Sequence, residues 1–407
     1  MDREKTAIGL MSGTSADGIE AVLVRLRGCG TKTEYKLLDH RSYPFSDAVR
    51  SAIFDLFNPT TGTVDKICHM NFVLGHLFAR AALDLINQNG LTRREVDFIG
   101  CWGQTVWHQP EPLKIGEVET TATLQLGDIT VIAELTGITT VGPFCPRDMA
   151  AGGQGSPLTG FGDFIVYRHP KKSRIIVNIG GIANVSLIPC GGQLDDVIGF
   201  DTGPGNMVID ALITMLTHGK MRFDVDGQFA RKGVVSDQVL RILMEDSFVQ
   251  KSPPKTTGRE RYGVQFATQV LKIARRYRLN KYDIIATATA FTAWAITYNC
   301  VTFLLPRITG PVEVIVGGGG AHNPVLVGML RDQLKPIPVF VDDDIGIIKS
   351  SAREALYCAL LANETICGNP ANVPSVTGAK RWVILGAIAP GETFSELFKE
   401  KTWEGRC

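Results

Sequence analysis

The chain has 407 residues, 42 lysines and arginines against 41 aspartates and glutamates, and 44% hydrophobic residues. That length exceeds what one hydrophobic core sustains, so two lobes of roughly 150 to 200 residues are expected, with a cleft between them. A net charge of +1 without a long run of one sign excludes a nucleic-acid or anionic-lipid surface as the main partner, and nine scattered cysteines without a C-x-x-C pair exclude a zinc site or a disulfide framework.

A small molecule is therefore the expected partner, and a reducing cytoplasm the expected location. Met1 to Lys5 shows no apolar core of a signal peptide. A homodimer is compatible with the chain, and no membrane partner is expected.

In chain order, the first element is the stretch Ile8 to Glu20, I-G-L-M-S-G-T-S-A-D-G-I-E, leading into the strand Ala21 to Val24. Gly9, Gly13 and Gly18 let the backbone approach a bound group, while Ser12, Thr14 and Ser15 offer hydroxyls to phosphate oxygens. It is neither a Walker loop nor a Rossmann fingerprint. It reads as a phosphate cradle or as a hairpin with a polar tip.

Ile67, Met70, Leu74, Leu77, Ala81 and Leu85 recur at helical spacing, and the Asn87 to Gly90 run supplies a C-cap, so a helix is expected over Asp65 to Ile86. Val96 to Cys101 reads as a strand that ends in a polar loop at Gly103-Gln104-Thr105. Arg174 to Asn178 and Ala183 to Ile188 read as strands flanking Gly180-Gly181. Val197 to Phe200 leads into Asp201-Thr202-Gly203-Pro204-Gly205-Asn206, with Asn206 placed to cap a helix through Leu216.

Ile284 to Leu305 carries no charge and is long enough to cross a bilayer, but its five threonines and Asn299 suit a buried core helix better. Val312 to Val316 is a strand followed by Gly317 to Gly320, and Asn323-Pro324 stand at N-cap and N1 of a helix over Val325 to Leu334.

Three glycine-rich turns are thus candidates for one nucleotide site: Gly13 to Gly18, Asp201 to Asn206, and Gly317 to Gly320. Asp17 and Asp201 stand beside phosphate-type glycines, where a carboxylate can hold Mg2+ directly or through its waters, although a turn-forming aspartate is the alternative for each. The bare glycines after Val316 leave room for a flat purine, or form a plain tight turn.

Seven segments in order then carry a resemblance: G-L-M-S-G-T-S-A-D-G, G-Q-T-V-W-H, R-D-M-A-A-G-G-Q-G-S-P-L, N-I-G-G-I-A-N, F-D-T-G-P-G-N, P-K-T-T-G-R-E and V-T-G-A. Together they resemble the anhydro-N-acetylmuramic acid kinase family, from Ile8 to about Pro390. The resemblance implies an α/β, two-lobed fold of the actin, hexokinase and Hsp70 type (ribonuclease H-like), with ATP between the lobes. The boundaries expected are 1–145 with 370–407 for the first lobe. The second, 146–369, would carry the catalytic aspartate, the second phosphate loop and the adenosine-binding glycines.

The resemblance also implies the reaction, in which ATP and water convert 1,6-anhydro-N-acetylmuramic acid to N-acetylmuramic acid 6-phosphate in peptidoglycan recycling. Water attacking C1 of the internal acetal needs a general base, and the departing O6 meets the phosphoryl group in place of a proton, so one carboxylate suffices. Matched to the family motif, that base is Asp148, ahead of Gly152-Gly153-Gln154-Gly155, with Arg147 steering it or meeting the lactyl acid. Gln104 and Thr105 are placed for sugar hydroxyls, Glu354 at an acidic position near the sugar, and Trp107 and His108 either stack on it or belong to the core.

ATP and Mg2+ fall to Gly13, Thr14, Ser15, Ala16, Asp17, Gly18, Ile19 and Glu20 in the first turn. In the others they fall to Asp201, Thr202, Gly203, Gly205 and Asn206, and to Gly317, Gly318 and Gly319. Thr257-Gly258-Arg259-Glu260 resembles the family's T-G-R-E segment and would order the lobe interface, while Lys255 and Arg259 read equally as ordinary surface charges. The nearest rival is a levoglucosan-type kinase, against which Gly153 favours the muramyl branch; a rival of another class is a nucleotide-binding switch without sugar chemistry.

Overall fold

The computed structural model describes residues 3–398. The chain divides into two units, the first running to Ile165 and resuming with Ser351–Pro374 and from Gly378 on, the second comprising Val166–Ser350 and Ser375–Thr377. Both breaks differ from the expected ones, so Asp148 and Glu354 belong to the first unit and not to the one that carries Asp201. The reason lies in the helix Ser350–Cys367: a Cβ at Gly9 or Gly100 would strike the carbonyls of Ala355 or Cys358, so this late helix lies directly on the first unit's sheet.

The first unit is built on β1 (Lys5–Ser12), β2 (Gly18–Arg27), β3 (Glu34–Pro44), β4 (Phe98–Ile115), β5 (Val118–Leu126), β6 (Thr140–Gly142) and β12 (Ala387–Ala389). Their order is β12-β6-β4-β1-β2-β3, with β5 paired to β4. β1, β2 and β3 form an antiparallel meander, and β4 and β6 add in parallel with β1. Ile8, Leu10, Ala21 and Leu23 put one face of the meander into a core with Leu74, Phe78, Ala82 and Leu85 of the helix Val64–Gln88. That helix has the expected period, and it stops at Asn89, with Gly90 behind it at φ +66°.

β4 departs from the expected loop. It runs on for 18 residues through Gly103-Gln104-Thr105, bending by register shifts as it pairs with β5. Leu113, Ile115 and Val118 at the far end of this hairpin are exposed.

The second unit repeats the plan. β7 (Ser173–Ile179), β8 (Ile182–Ile188), β9 (Ile198–Pro204), β10 (Val312–Gly317) and β11 (Val339–Val341) stand in the order β11-β10-β7-β8-β9. Again three strands form an antiparallel meander and two add in parallel to its first strand. This twice-used order is that of the actin, hexokinase and ribonuclease H-like fold class. The helix Lys281–Asn299 is apolar on every side and largely buried, as a core element should be. Three of its hydroxyls find carbonyl acceptors: Thr287 and Thr289 donate to the carbonyls four residues back, and Thr292 to Gly205 O at 3.1 Å.

Candidate active site

In the first unit the β1–β2 turn is closed by Ala16 N donating to Gly13 O at 3.0 Å, with Ala16 at φ +51°. Thr14, Ser15 and Asp17 are exposed at its tip, and the space around Gly13 is open. Gln104, fully buried, holds the turn from below: its Oε1 accepts from Ser12 Oγ at 2.7 Å, and its Nε2 donates to Gly13 O and Thr105 O at 3.1 Å. Gln104 thus supports the turn through its bonds to Ser12 and Gly13. Thr105, next to it, accepts from Gln125 Nε2 at 3.3 Å.

Other residues of the opening stretch have packing duties. Gly9 lies under the helix Ser350–Cys367, Gly18 under the Tyr43 carbonyl, and Ile19 in the core. The Glu20 carboxylate turns to β3, where it meets His40 Nε2 and Ser42 Oγ at 2.6 Å. Asp17 is paired with Arg50 at 2.9 Å, yet its side chain stays 68% exposed.

Asp148 lies on the short helix Cys145–Ala150 that follows β6, and it is fully buried. Its Oδ2 accepts from the Gly155 amide at 2.8 Å and its Oδ1 from Asn372 Nδ2 at 2.9 Å. Asn372 is held in turn: it donates to Arg381 O at 3.2 Å and accepts from Val383 N at 2.9 Å. Asn372 is the residue that sequence reasoning missed. The glycine loop passes so close that a Cβ at Gly153 would run into the Asp148 carboxylate. Gln154 in the same loop keeps a buried Oε1 with no hydrogen-bond partner among the described residues.

Arg147, one residue before Asp148, is exposed, while Asn372 and the Gly155 amide both donate to the Asp148 carboxylate. Glu354 is half-buried on the helix Ser350–Cys367. On β4, Trp107 is exposed and cross-strand from Leu124, while His108 bonds Thr123 Oγ1 at 3.1 Å through Nδ1; burial alone holds its imidazole below the usual range.

In the second unit, Asp201-Thr202-Gly203-Pro204 completes β9 instead of forming a free loop. The turn behind it is stitched to the Gly180-Gly181 turn by Gly205 N to Gly181 O and Asn206 N to Gly180 O, at 2.9 and 2.8 Å. Asn206 opens the helix Asn206–Leu216 without capping it; Gly205 stands at the N-cap. The Thr202 hydroxyl donates to Ala183 O at 3.1 Å. After Gly317, which ends β10, Gly318 (φ +80°) and Gly320 are glycine because Asn178 and Ile179 crowd them, and Gly319 has the freest surroundings of the three.

Asp201 is 3% exposed. Its Oδ2 accepts from Thr256 Oγ1 at 2.8 Å and from Thr257 N at 2.9 Å, while Oδ1 has no hydrogen-bond partner among the described residues. Burial pushes this carboxyl up to about 7, against the pull of those two donors. Lys255 is 1% exposed, which removes the surface-charge alternative for it, and burial lowers its ammonium to about 7.

The model of the anhydro-N-acetylmuramic acid kinase family matches residues 5–391. The anhydro-N-acetylmuramic acid kinase of Caldanaerobacter subterraneus subsp. tengcongensis is 48% identical over 386 residues, which cover 95% of this chain and 97% of that one. The enzyme of the same name from Bacillus cereus AH187 is 43% identical over 382 residues, covering 93% and 98%. Among solved structures, the activator of 2-hydroxyisocaproyl-CoA dehydratase from Clostridium difficile aligns with a TM-score of 0.43 and 14% identity, over 88% of this chain and 94% of that one. The chain belongs to the anhydro-N-acetylmuramic acid kinase family of phosphotransferases.

Proposed function

We propose that the protein phosphorylates O6 of anhydro-N-acetylmuramic acid while water opens the 1,6-anhydro ring at C1, giving N-acetylmuramic acid 6-phosphate in the reuse of cell-wall fragments. The observation that carries this reading is Asp148, a fully buried carboxylate fixed on both oxygens by neutral donors and faced by a loop with no room for a Cβ. A carboxylate oxygen has two lone pairs, so one held in direction by Asn372 and Gly155 can still serve as the base that takes a proton from water. The loop Gly152 to Gly155 packs closely on Lys380, Asp148 and Met149, and Gln154 Oε1, without a partner among the described residues, is an acceptor for a hydroxyl or amide group of the sugar.

ATP supplies the phosphoryl electrophile that O6 takes up in place of a proton. The residues fit it: the space at Gly13 is open, Thr14 and Ser15 are exposed hydroxyls, Gly205 and Asn206 form a backbone turn, and Gly319 leaves room for a base. Asp201 is the residue we assign first to Mg2+, on the strength of its unpartnered Oδ1, with exposed Asp17 as the candidate on the first turn. Thr105, Arg147 and Glu354 are assigned to the sugar. Scattered free thiols suit a reducing cytoplasm as the place of reaction.

Asp148→Asn tests the core of the reading. Sugar-dependent ADP formation should be lost while ADP still binds, and wild-type turnover in 18O water should put the label at C1 and none in the phosphate. Label in the phosphate would refute it. A panel of anhydro-N-acetylmuramic acid, levoglucosan, N-acetylmuramic acid and glucose should show preference for the first.

A further inference from the structure

Lys255 presents a problem of burial. Its ammonium makes no direct ion pair among the described residues, Asp201 and Asp246 acting on it only from a distance. Nζ donates to the carbonyls of Phe248 at 3.0 Å and Val249 at 2.7 Å, on the helix Ser247–Gln250, and lies 5.1 to 5.7 Å from the ring centres of Phe248, Phe303 and Phe200. Neither carbonyl depends on it: Phe248 O also accepts from Lys251 N at 3.1 Å, and Val249 O from Asn299 Nδ2 at 3.3 Å. Burying a cation here carries a desolvation penalty, and a methionine of similar length would lie against the same rings without it. Stability alone does not account for lysine at this position.

What the lysine fixes is the segment that follows. Its carbonyl accepts from Asp201 N at 3.1 Å, and the next two residues, Thr256 and Thr257, supply both donors to Asp201 Oδ2. The tether therefore runs from the helix Ser247–Gln250 through Nζ to the donors that set the rotamer of Asp201. We infer that Lys255 is a positioning residue for Asp201: it anchors the 255–257 segment so that Oδ2 is held and Oδ1 is directed to a magnesium-bound phosphate. This rests on the proposed assignment of Asp201 to the Mg-nucleotide.

Calorimetric titration of the full-length protein with Mg-ADP, with ADP in excess chelator, and with anhydro-N-acetylmuramic acid tests the inference. Lys255→Met should weaken Mg-ADP binding by about tenfold or more, the usual consequence of losing an outer-shell support. The same variant should leave metal-free ADP and sugar affinities within about twofold and the melting temperature unchanged or raised, because an apolar side chain suits the aromatic box. A fall in melting temperature with Mg-ADP affinity intact would overturn the inference and make Lys255 structural.

Thr256→Val removes one Oδ2 donor without entering the aromatic box and should reproduce the selective loss even where Lys255→Met fails to fold; an unchanged Mg-ADP affinity there also overturns the inference. Asp201→Asn separates the two layers, since Mg-ADP binding that ignores it would refute the assignment of Asp201 itself.

Discussion

Asp148 and Asp201 are both almost wholly removed from solvent, one in each unit, and they are held in opposite ways. Asp148 has a donor on each oxygen, one from a side-chain amide and one from a backbone amide, and a glycine where any larger residue would displace it. Asp201 has two donors on one oxygen and none on the other. The first arrangement fixes direction and suits a base, which must point at one proton; the second keeps a lone carboxylate oxygen available and suits an ion. Burial of an aspartate thus says little about its task until the donors on each oxygen are counted.

The sharpest way to break this contrast is at Asp148. Asp148→Asn keeps the shape and one of the two hydrogen bonds, its NH2 facing the other donor, and it cannot take a proton, so kcat should fall by about 10² to 10⁴, with ADP affinity unchanged by calorimetry. Gly153→Ala puts a methyl against the carboxylate from a close-lying backbone; a displacement near 1 Å is worth about 10² in rate, and a crystal structure should show the Asp148 rotamer moved. Asn372→Leu leaves Oδ1 without its donor but keeps the Gly155 contact, so the loss in kcat should be smaller, on the order of tenfold, with sugar KM little changed. Near-normal turnover in Asn372→Leu would mean that Asn372 supports the loop and not the base.

Much of this was legible in the sequence. Apolar strands and the helical period of Met70, Leu74, Ala81 and Leu85 are local signals, and the strands and the helix they mark formed near their expected positions, whereas the turn expected from Asp201 is largely strand. What escaped depends on distance along the chain. Asn372 is separated from Asp148 by 224 positions and lies in a loop whose composition suggests only a turn. Lys255 looks solvent-facing in P-P-K-T-T, since the rings that surround it come from Phe200, Phe248 and Phe303. Gly103-Gln104-Thr105 has loop composition, yet pairing with β5 carries the strand through it. The unit boundary was misplaced for a similar reason: Gly9 and Gly100 give no sign in sequence that they make room for a helix beginning at Ser350.

The smallest effect concerns the stability of Asp201 and has a definite sign. Its carboxyl is raised to about 7 chiefly by burial, whereas an unfolded aspartate titrates near 3.8. Between those values the native protein holds a proton that the unfolded chain has released, so the site's contribution to stability falls as pH rises through that window and stays low above it. Lys255, lowered to about 7, acts oppositely above neutrality: the unfolded chain binds the extra proton there, and stability recovers toward pH 10.5. Asp201→Asn keeps an acceptor for Thr256 and Thr257 while removing the buried charge. The ligand-free variant should therefore match the wild type near pH 4 and melt higher at pH 7.5, by on the order of 2 °C. Mg-ADP should reverse that order, because a ligand bound only by the native wild type raises its stability by mass action and the variant binds it weakly. A ligand-free variant that melts below the wild type at pH 7.5 would show that the Asp201 charge is already compensated within the fold, and the contrast with Asp148 would then lose its electrostatic half.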